Sequence, residues 1–184
     1  MKRIIATLFL VLAVTSVCEA RKTPSRERIQ ELVNDMRVQA RKSGIETDRE
    51  SVTLPGIKVV SDSKIEMVSI GGVAMKLGKR LGGLNKEIPA IRGINSMLVV
   101  SYDECPDHIK DLFNAKMSKE LSGCELLMEA KDGGEKMSCY GTTTNDGDRI
   151  SDIIMFVPND GALICFFGTI SAKDLSELVN EAVK

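Results

Sequence analysis

Apolar residues follow three rhythms along this chain. The first is one block near the start: Lys2 and Arg3, then Ile4 to Val17 broken only by Thr7, Thr15 and Ser16, then Cys18-Glu19-Ala20. A positive start, a short apolar run and small residues at the end make a secretory signal, with cleavage after Ala20. A transmembrane helix needs about 20 apolar residues, and this run is shorter, so a cleaved signal is predicted and not an anchor. Nothing after Arg21 is long and apolar enough to span a bilayer. A rival reading makes Cys18 the lipidated first residue of a lipoprotein, but Val17 stands where such signals want Gly, Ala or Ser. The predicted organisation is a signal peptide at 1–20 followed by one domain at 21–184.

The second rhythm is helical. Thr23-Pro24 is a helix start, and Ile29, Leu32, Val33 and Met36 then fall at i, i+3, i+4 and i+7 before Ser43-Gly44. Arg26, Glu27, Glu31, Asp35 and Arg37 form the facing side, which reads as solvated surface. Val73 to Leu81 predicts a short helix ended by Gly82-Gly83. Pro106 to Leu121 predicts an amphipathic helix, with Ile109, Leu112, Phe113, Lys116 and Met117 toward one face. Ser171 caps a closing helix whose buried face is Leu175, Leu178, Val179 and Ala182.

The third rhythm is that of strands. After a polar stretch from Glu46 to Ser51 and a turn at Pro55-Gly56, strands are predicted at Ile57 to Val60 and Ile65 to Ile70. Ile94 to Tyr102 predicts a buried strand, because Met97, Leu98, Val99 and Val100 are unbroken apolar residues. Further strands are predicted at Cys124 to Ala130, Lys136 to Thr144, Ile150 to Val157 and Ala162 to Ile170. Asp132-Gly133-Gly134, Asn145-Asp146-Gly147-Asp148 and Asn159-Asp160-Gly161 separate these last four. Asp-Gly favours tight hairpins, so they form a four-stranded antiparallel meander. The fold class predicted is α+β: a mostly antiparallel sheet, this meander plus N-terminal strands, with helices packed on one face.

The stretch from Ile65 to the C-terminus also resembles a known family. The residues that carry the likeness are Met75-Lys76-Leu77, Ile94 to Val100, the run Cys124 to Gly133, Ile150 to Val157 and Phe167-Gly168-Thr169-Ile170. They resemble the family called domain of unknown function 4252, small exported proteins of Gram-negative bacteria. The resemblance implies an exported α+β domain, clearest over 65–184, and supplies no catalytic residue. The segment Ile45 to Ser63 departs from the compact family pattern and leaves the number of strands there open.

Composition narrows the chemistry. The 184 residues are 43% hydrophobic and 28% charged, a globular mixture, with a net charge of −1. That balance supplies no basic field for nucleic acid. The absence of Trp, with 2 Tyr and 5 Phe, also leaves few stacking platforms for bases. A lone histidine, His108, and no CxxC pair give no zinc spacing. Asn145 to Asp148 spaces oxygens as a calcium loop does, but lacks the distal glutamate and suits a hairpin turn better.

Four cysteines follow the signal: Cys105, Cys124, Cys139 and Cys165. A helix between Cys105 and Cys124, and a strand between those of Cys139 and Cys165, hold each pair beyond the ~7 Å that a disulfide spans. Cys105 or Cys124 could still meet Cys139. Buried free thiols are the expectation.

No catalytic, cofactor or metal residue is assigned, and the leading expectation is a non-enzymatic binding or structural module of the cell envelope with another envelope protein as partner. One alternative is a thiol-dependent enzyme or redox sensor using Cys105 near His108, at a helix start that would lower a thiol pKa. Another is a peripheral membrane protein using the basic face of Lys76, Lys79, Arg80, Lys86 and Arg92.

Overall fold

The computed structural model describes residues 22–45, 49–81, 92–132, 135–144 and 147–174. The predicted signal at 1–20 and the closing-helix residues 175–184 lie outside them.

The first helix, α1 (Arg26–Lys42), is capped by Ser25, whose hydroxyl accepts the Arg28 N–H at 3.3 Å. Thr23 and Pro24, the expected start, are instead buried just ahead of it. Ile29, Leu32, Val33 and Met36 are buried as their spacing predicts, with Ala40 continuing the stripe. The expected solvated side needs correction at two places. Arg37 is only 5% exposed, and Arg26 reaches across to the hydroxyl of buried Ser69.

Among the described residues, eight strands follow, interrupted by two helices: β1 (Glu50–Leu54), β2 (Ile57–Asp62), β3 (Ile65–Ile70), α2 (Gly72–Leu81), β4 (Ile94–Ser101), α3 (Asp107–Leu121), β5 (Glu125–Asp132), β6 (Glu135–Thr143), β7 (Arg149–Val157) and β8 (Ala162–Ser171). The α+β class holds, with one antiparallel sheet in the order β1-β2-β3-β4-β8-β7-β6-β5. The last four strands stand next to one another in chain order, and through β8 they join β4. The strand absent from the expectation is β1, which occupies part of the supposed polar stretch. It pairs with β2 from Glu50↔Ser61 to Leu54↔Ile57 around Pro55-Gly56, and all five of its residues are exposed. A strand with no buried face leaves no alternating pattern to detect.

Neighbouring residues of a strand point to opposite faces, and two apolar clusters separate accordingly. Leu98, Val100, Ile154, Phe156, Leu163 and Cys165 pack under α1 and α3. There Phe113 of α3 meets Tyr102 edge-on with ring centroids 4.8 Å apart, and Arg28–Glu120 and Lys116–Asp35 ion pairs join the two helices. Leu112, expected on the buried face of α3, is exposed, and Leu121 is buried. Ile153, Cys139, Ile150, Ile94 and Ile170 face the other way, with Met75 of α2 and Ala172 packed against them. The helices are therefore not all on one face: α1 and α3 cover the first, and α2 packs against the second. Cross-strand partners share a face, so the second face carries a row from Val52 through Val59, Val68, Val99, Ile164 and Met155 to Cys139 and Met128.

The seam between the halves is tight at two glycines. A Cβ on Gly93 would lie 1.6 Å from the Thr169 carbonyl oxygen, and one on Gly168 would lie 2.3 Å from that of Gly93. Gly168 has φ +137° and donates its N–H to the Asp152 carboxylate at 3.0 Å, where Asp152 itself has φ +52° at an irregularity in β7. Gly147 also has positive φ, +74°, but open space around its Cβ position. Gly147→Ala should cost about 1 kcal/mol of conformational strain. Gly168→Ala adds a backbone clash and should cost at least ~2 kcal/mol more, on the scale of overpacking. Urea unfolding of both variants measures the difference, and equal losses would show that the seam yields.

Candidate functional site

The second half of α1 presents Asn34, Arg37, Val38 and Arg41 along one face, at i, i+3, i+4 and i+7. That face flanks the end of β2, where Asp62 is 1% exposed, and the lead-in to β1, where Arg49 is exposed. These six residues wall a concavity of about 190 Å³.

Asp62 is the hub. Its carboxylate takes an ion pair from Arg41 and the Ser63 hydroxyl at 2.7 Å. Burial by itself would raise its pKa, but the Ser63 hydroxyl, the Arg41 contact and the charges of Arg41 and Arg37 outweigh burial and hold it below the usual carboxylate range. Arg37 donates to the Val60 carbonyl at 3.1 Å and to Asn34 Oδ1 at 3.5 Å, while its buried Nε has no hydrogen-bond partner. Burial pushes its guanidinium below the ordinary value, Asp62 opposes that, and Arg49 and Arg41 add to it. Guanidinium groups stay charged near neutrality and do not shuttle protons, so what these three can do is pair with an anion.

The turn after Asp62 is strained. Ser63 and Lys64 have φ 57° and 63°, the left-handed pair that a two-residue hairpin demands, without glycine at either. Cys105 steadies it by directing its S–H at the Lys64 carbonyl, 3.4 Å away. That contact requires the protonated thiol, and burial pushes the Cys105 pKa up to about 11, with the neighbouring lysines opposing only in part. His108, three residues on, lies at the surface with Nε2 3.4 Å from the Ser43 hydroxyl. The two groups proposed as nucleophile and base thus make separate contacts, and the thiol sits where its anion is disfavoured.

The other thiols are equally placed as small apolar groups. Cys139 and Cys165 are buried on strands either side of β7 but on opposite faces, and both thiols are pushed up by burial. Cys124 is half-buried, its Sγ 3.6 Å from the carbonyls of Lys22 and Glu120. Of the basic face, Lys76 and Arg92 are exposed at its two ends, whereas Lys86 and the side chains of Lys79 and Arg80 lie outside the described residues. Asn145 and Asp146 of the calcium-like turn lie outside as well. Among the described residues no group of His, Cys, Asp or Glu is placed to hold a metal ion. No described helix is long and apolar enough to cross a membrane.

A second feature lies at the sheet's first edge. Val52 and Leu54 are more than half exposed at the ends of two apolar rows on the second face. Val73 and Leu77 of α2 are exposed too, and the start of α2 is tied to the β1–β2 turn by Gly71 N–H donating to the Gly56 carbonyl at 2.6 Å.

The family model described as domain of unknown function (DUF4252) matches residues 60–178. The chain belongs to that family. No curated protein and no solved structure matches it. The DUF4252 match begins inside β2, so it contains Asp62 and the seam glycines. It leaves out α1 and β1, and with them all three arginines of the concavity. Sequence reasoning missed this site. Arg37 reads as solvated helix surface, Arg41 and Arg49 carry no motif, and Asp62 has no partner until β2 is packed under α1. The only signal was the i, i+4 spacing of Arg37 and Arg41.

Two outcomes follow from this electrostatics. In a variant keeping only Cys105, native-state alkylation at pH 8 should run roughly 200-fold slower than in urea, from a thiolate fraction near one in a thousand against an ordinary pKa of ~8.5. A native rate equal to or above the urea rate would restore the thiol-enzyme reading. Asp62, its folded pKa depressed, contributes stability above the unfolded value of ~3.9 that is lost as pH falls through the folded one. Asp62→Asn should therefore be destabilised at pH 7, by about 2 kcal/mol, because Arg37 is left buried without its counter-charge while the half-exposed Arg41 can turn to water. It should also lose stability less steeply than wild type below pH 4 in urea titrations.

Proposed function

We propose that this chain is an exported, non-enzymatic binding module of the bacterial cell envelope that docks an extended segment of another envelope protein. Export is supported by the Lys2 to Ala20 pattern. The observation that carries the binding role is the open edge at β1. This strand pairs only with β2 among the described residues, so its outer backbone groups are available to another strand. Val52 and Leu54 stand beside that edge, and the Val73 and Leu77 side chains of α2 are exposed on the helix tethered to the same hairpin. Strand addition gives affinity through main-chain hydrogen bonds and specificity through alternate side chains. Exposed apolar groups gathered beside an open edge are a hazard unless covered, which favours an occupant.

A photo-reactive residue at Val52 tests the reading in the native envelope, with Leu112 on the opposite face as control. The expected result is one crosslinked partner whose attached peptide, made separately, binds the mature chain. Leu54→Asp should weaken that peptide at least tenfold while leaving the unfolding midpoint unchanged, because Leu54 is exposed. Equal crosslinking from Val52 and Leu112, or a peptide indifferent to Leu54→Asp, would overturn the reading.

A further inference from the structure

The arginine concavity has no role in strand docking, and the charges of its described lining residues do not balance. Among those residues Arg37, Arg41 and Arg49 face one carboxylate, Asp62, a surplus of two positive charges. A purely structural ion pair would need only Arg41, which already contacts Asp62. Arg37 forms the floor, 5% exposed, and its Nε–H is a buried donor with nothing to accept it. A buried donor left unsatisfied costs about 1–3 kcal/mol, so Arg37 is held at the floor at a cost to the fold. Arg41 and Arg49 are exposed at the rim, and Asn34 adds an amide.

We infer that this concavity is a binding site for a phosphate-type dianion, a terminal phosphate carried by a lipid headgroup or by a soluble ester. Three observations converge. The surplus of two charges is neutralised by a phosphate monoester, at −1.5 to −2 near pH 7, and only half neutralised by a carboxylate. Planar guanidinium forks from different directions suit a tetrahedral group with three acceptor oxygens. The volume of about 190 Å³ is several times the ~30 Å³ share of one water, enough for the phosphate with little of what carries it. The site therefore grips the terminal group and leaves the rest of the ligand outside, past Val38 and Arg49. The inference stands apart from the strand-docking role, because the concavity lies on the α1 side of the sheet and the apolar rows on the other.

Calorimetric titration of the mature chain with inorganic phosphate, against acetate at the same ionic strength, reads the site directly. Phosphate should bind saturably with one-to-one stoichiometry, and acetate at least tenfold more weakly. Arg49→Gln, at an exposed position that leaves the fold intact by circular dichroism, should weaken phosphate at least fivefold, and Arg41→Gln more. Flotation with phosphatidic acid vesicles and competition by glycerol phosphate then separate the sources. Vesicle binding that is lost in Arg49→Gln and Arg41→Gln identifies a headgroup, and glycerol phosphate binding without vesicle binding identifies a soluble ester. No saturable phosphate binding, equal binding of acetate, or phosphate binding unchanged in folded Arg49→Gln and Arg41→Gln would overturn the inference.

Discussion

Everything in this molecule depends on the pairing of β4 with β8. Among the described residues it is the only strand contact between the N-terminal four strands and the C-terminal meander, and it lies at the centre of the sheet. Its register, from Ile94↔Gly168 to Ser101↔Ala162, sets which residues of both halves look toward α1 and α3 and which look away. A one-residue slip would turn Leu163 and Cys165 from one core to the other, so burial on both faces locks the register. The glycines at the Ile94 end let the two backbones approach more closely than any side chain would permit, and Asp152 supplies an acceptor for the N–H exposed by that bend.

The two proposed surfaces grow out of this arrangement from opposite sides. On the first face, α1 lies over β2 and brings its Arg37 and Arg41 to Asp62, a carboxylate at the strand's last position. On the second face, the cross-strand rows run across the sheet to β1 and emerge there as Val52 and Leu54, partly in water. The hairpin that closes β2 onto β3 links to both the hub and the core, since Ser63 holds Asp62 and Cys105 holds the following carbonyl. A thiol there acts as a neutral donor to the Lys64 carbonyl, and its burial opposes the effect of the helix start.

The legible parts of the sequence were those with a buried face. Ile29 to Met36 announced a helix by the spacing of one dry side, and the unbroken Met97 to Val100 run announced a strand covered on both faces. The family relationship was legible too, in the Cys124 to Gly133 run and the Gly-Thr-Ile before the last helix. β1 was not, since five exposed residues carry no such imprint. Arg37 was misplaced for a related reason: its charge argues for water, and only the contact of α1 with the end of β2 turns that position inward. Leu112 erred the other way, an apolar residue that the rotation of α3 left outside.

By itself the sequence determined the α+β class, the antiparallel pairing of the late strands and the kinship, all properties of near neighbours along the chain. Tertiary structure decided what distance in the chain conceals: that Arg37, Arg41, Arg49 and Asp62 share one concavity, that α2 packs against the face opposite α1, and that two apolar rows end at β1, the outermost of the described strands. The physical reason is that charge pairing and face assignment are set by which strand sits beside which. Here that order was fixed by the joining of β4 to β8, across about 70 residues of intervening chain.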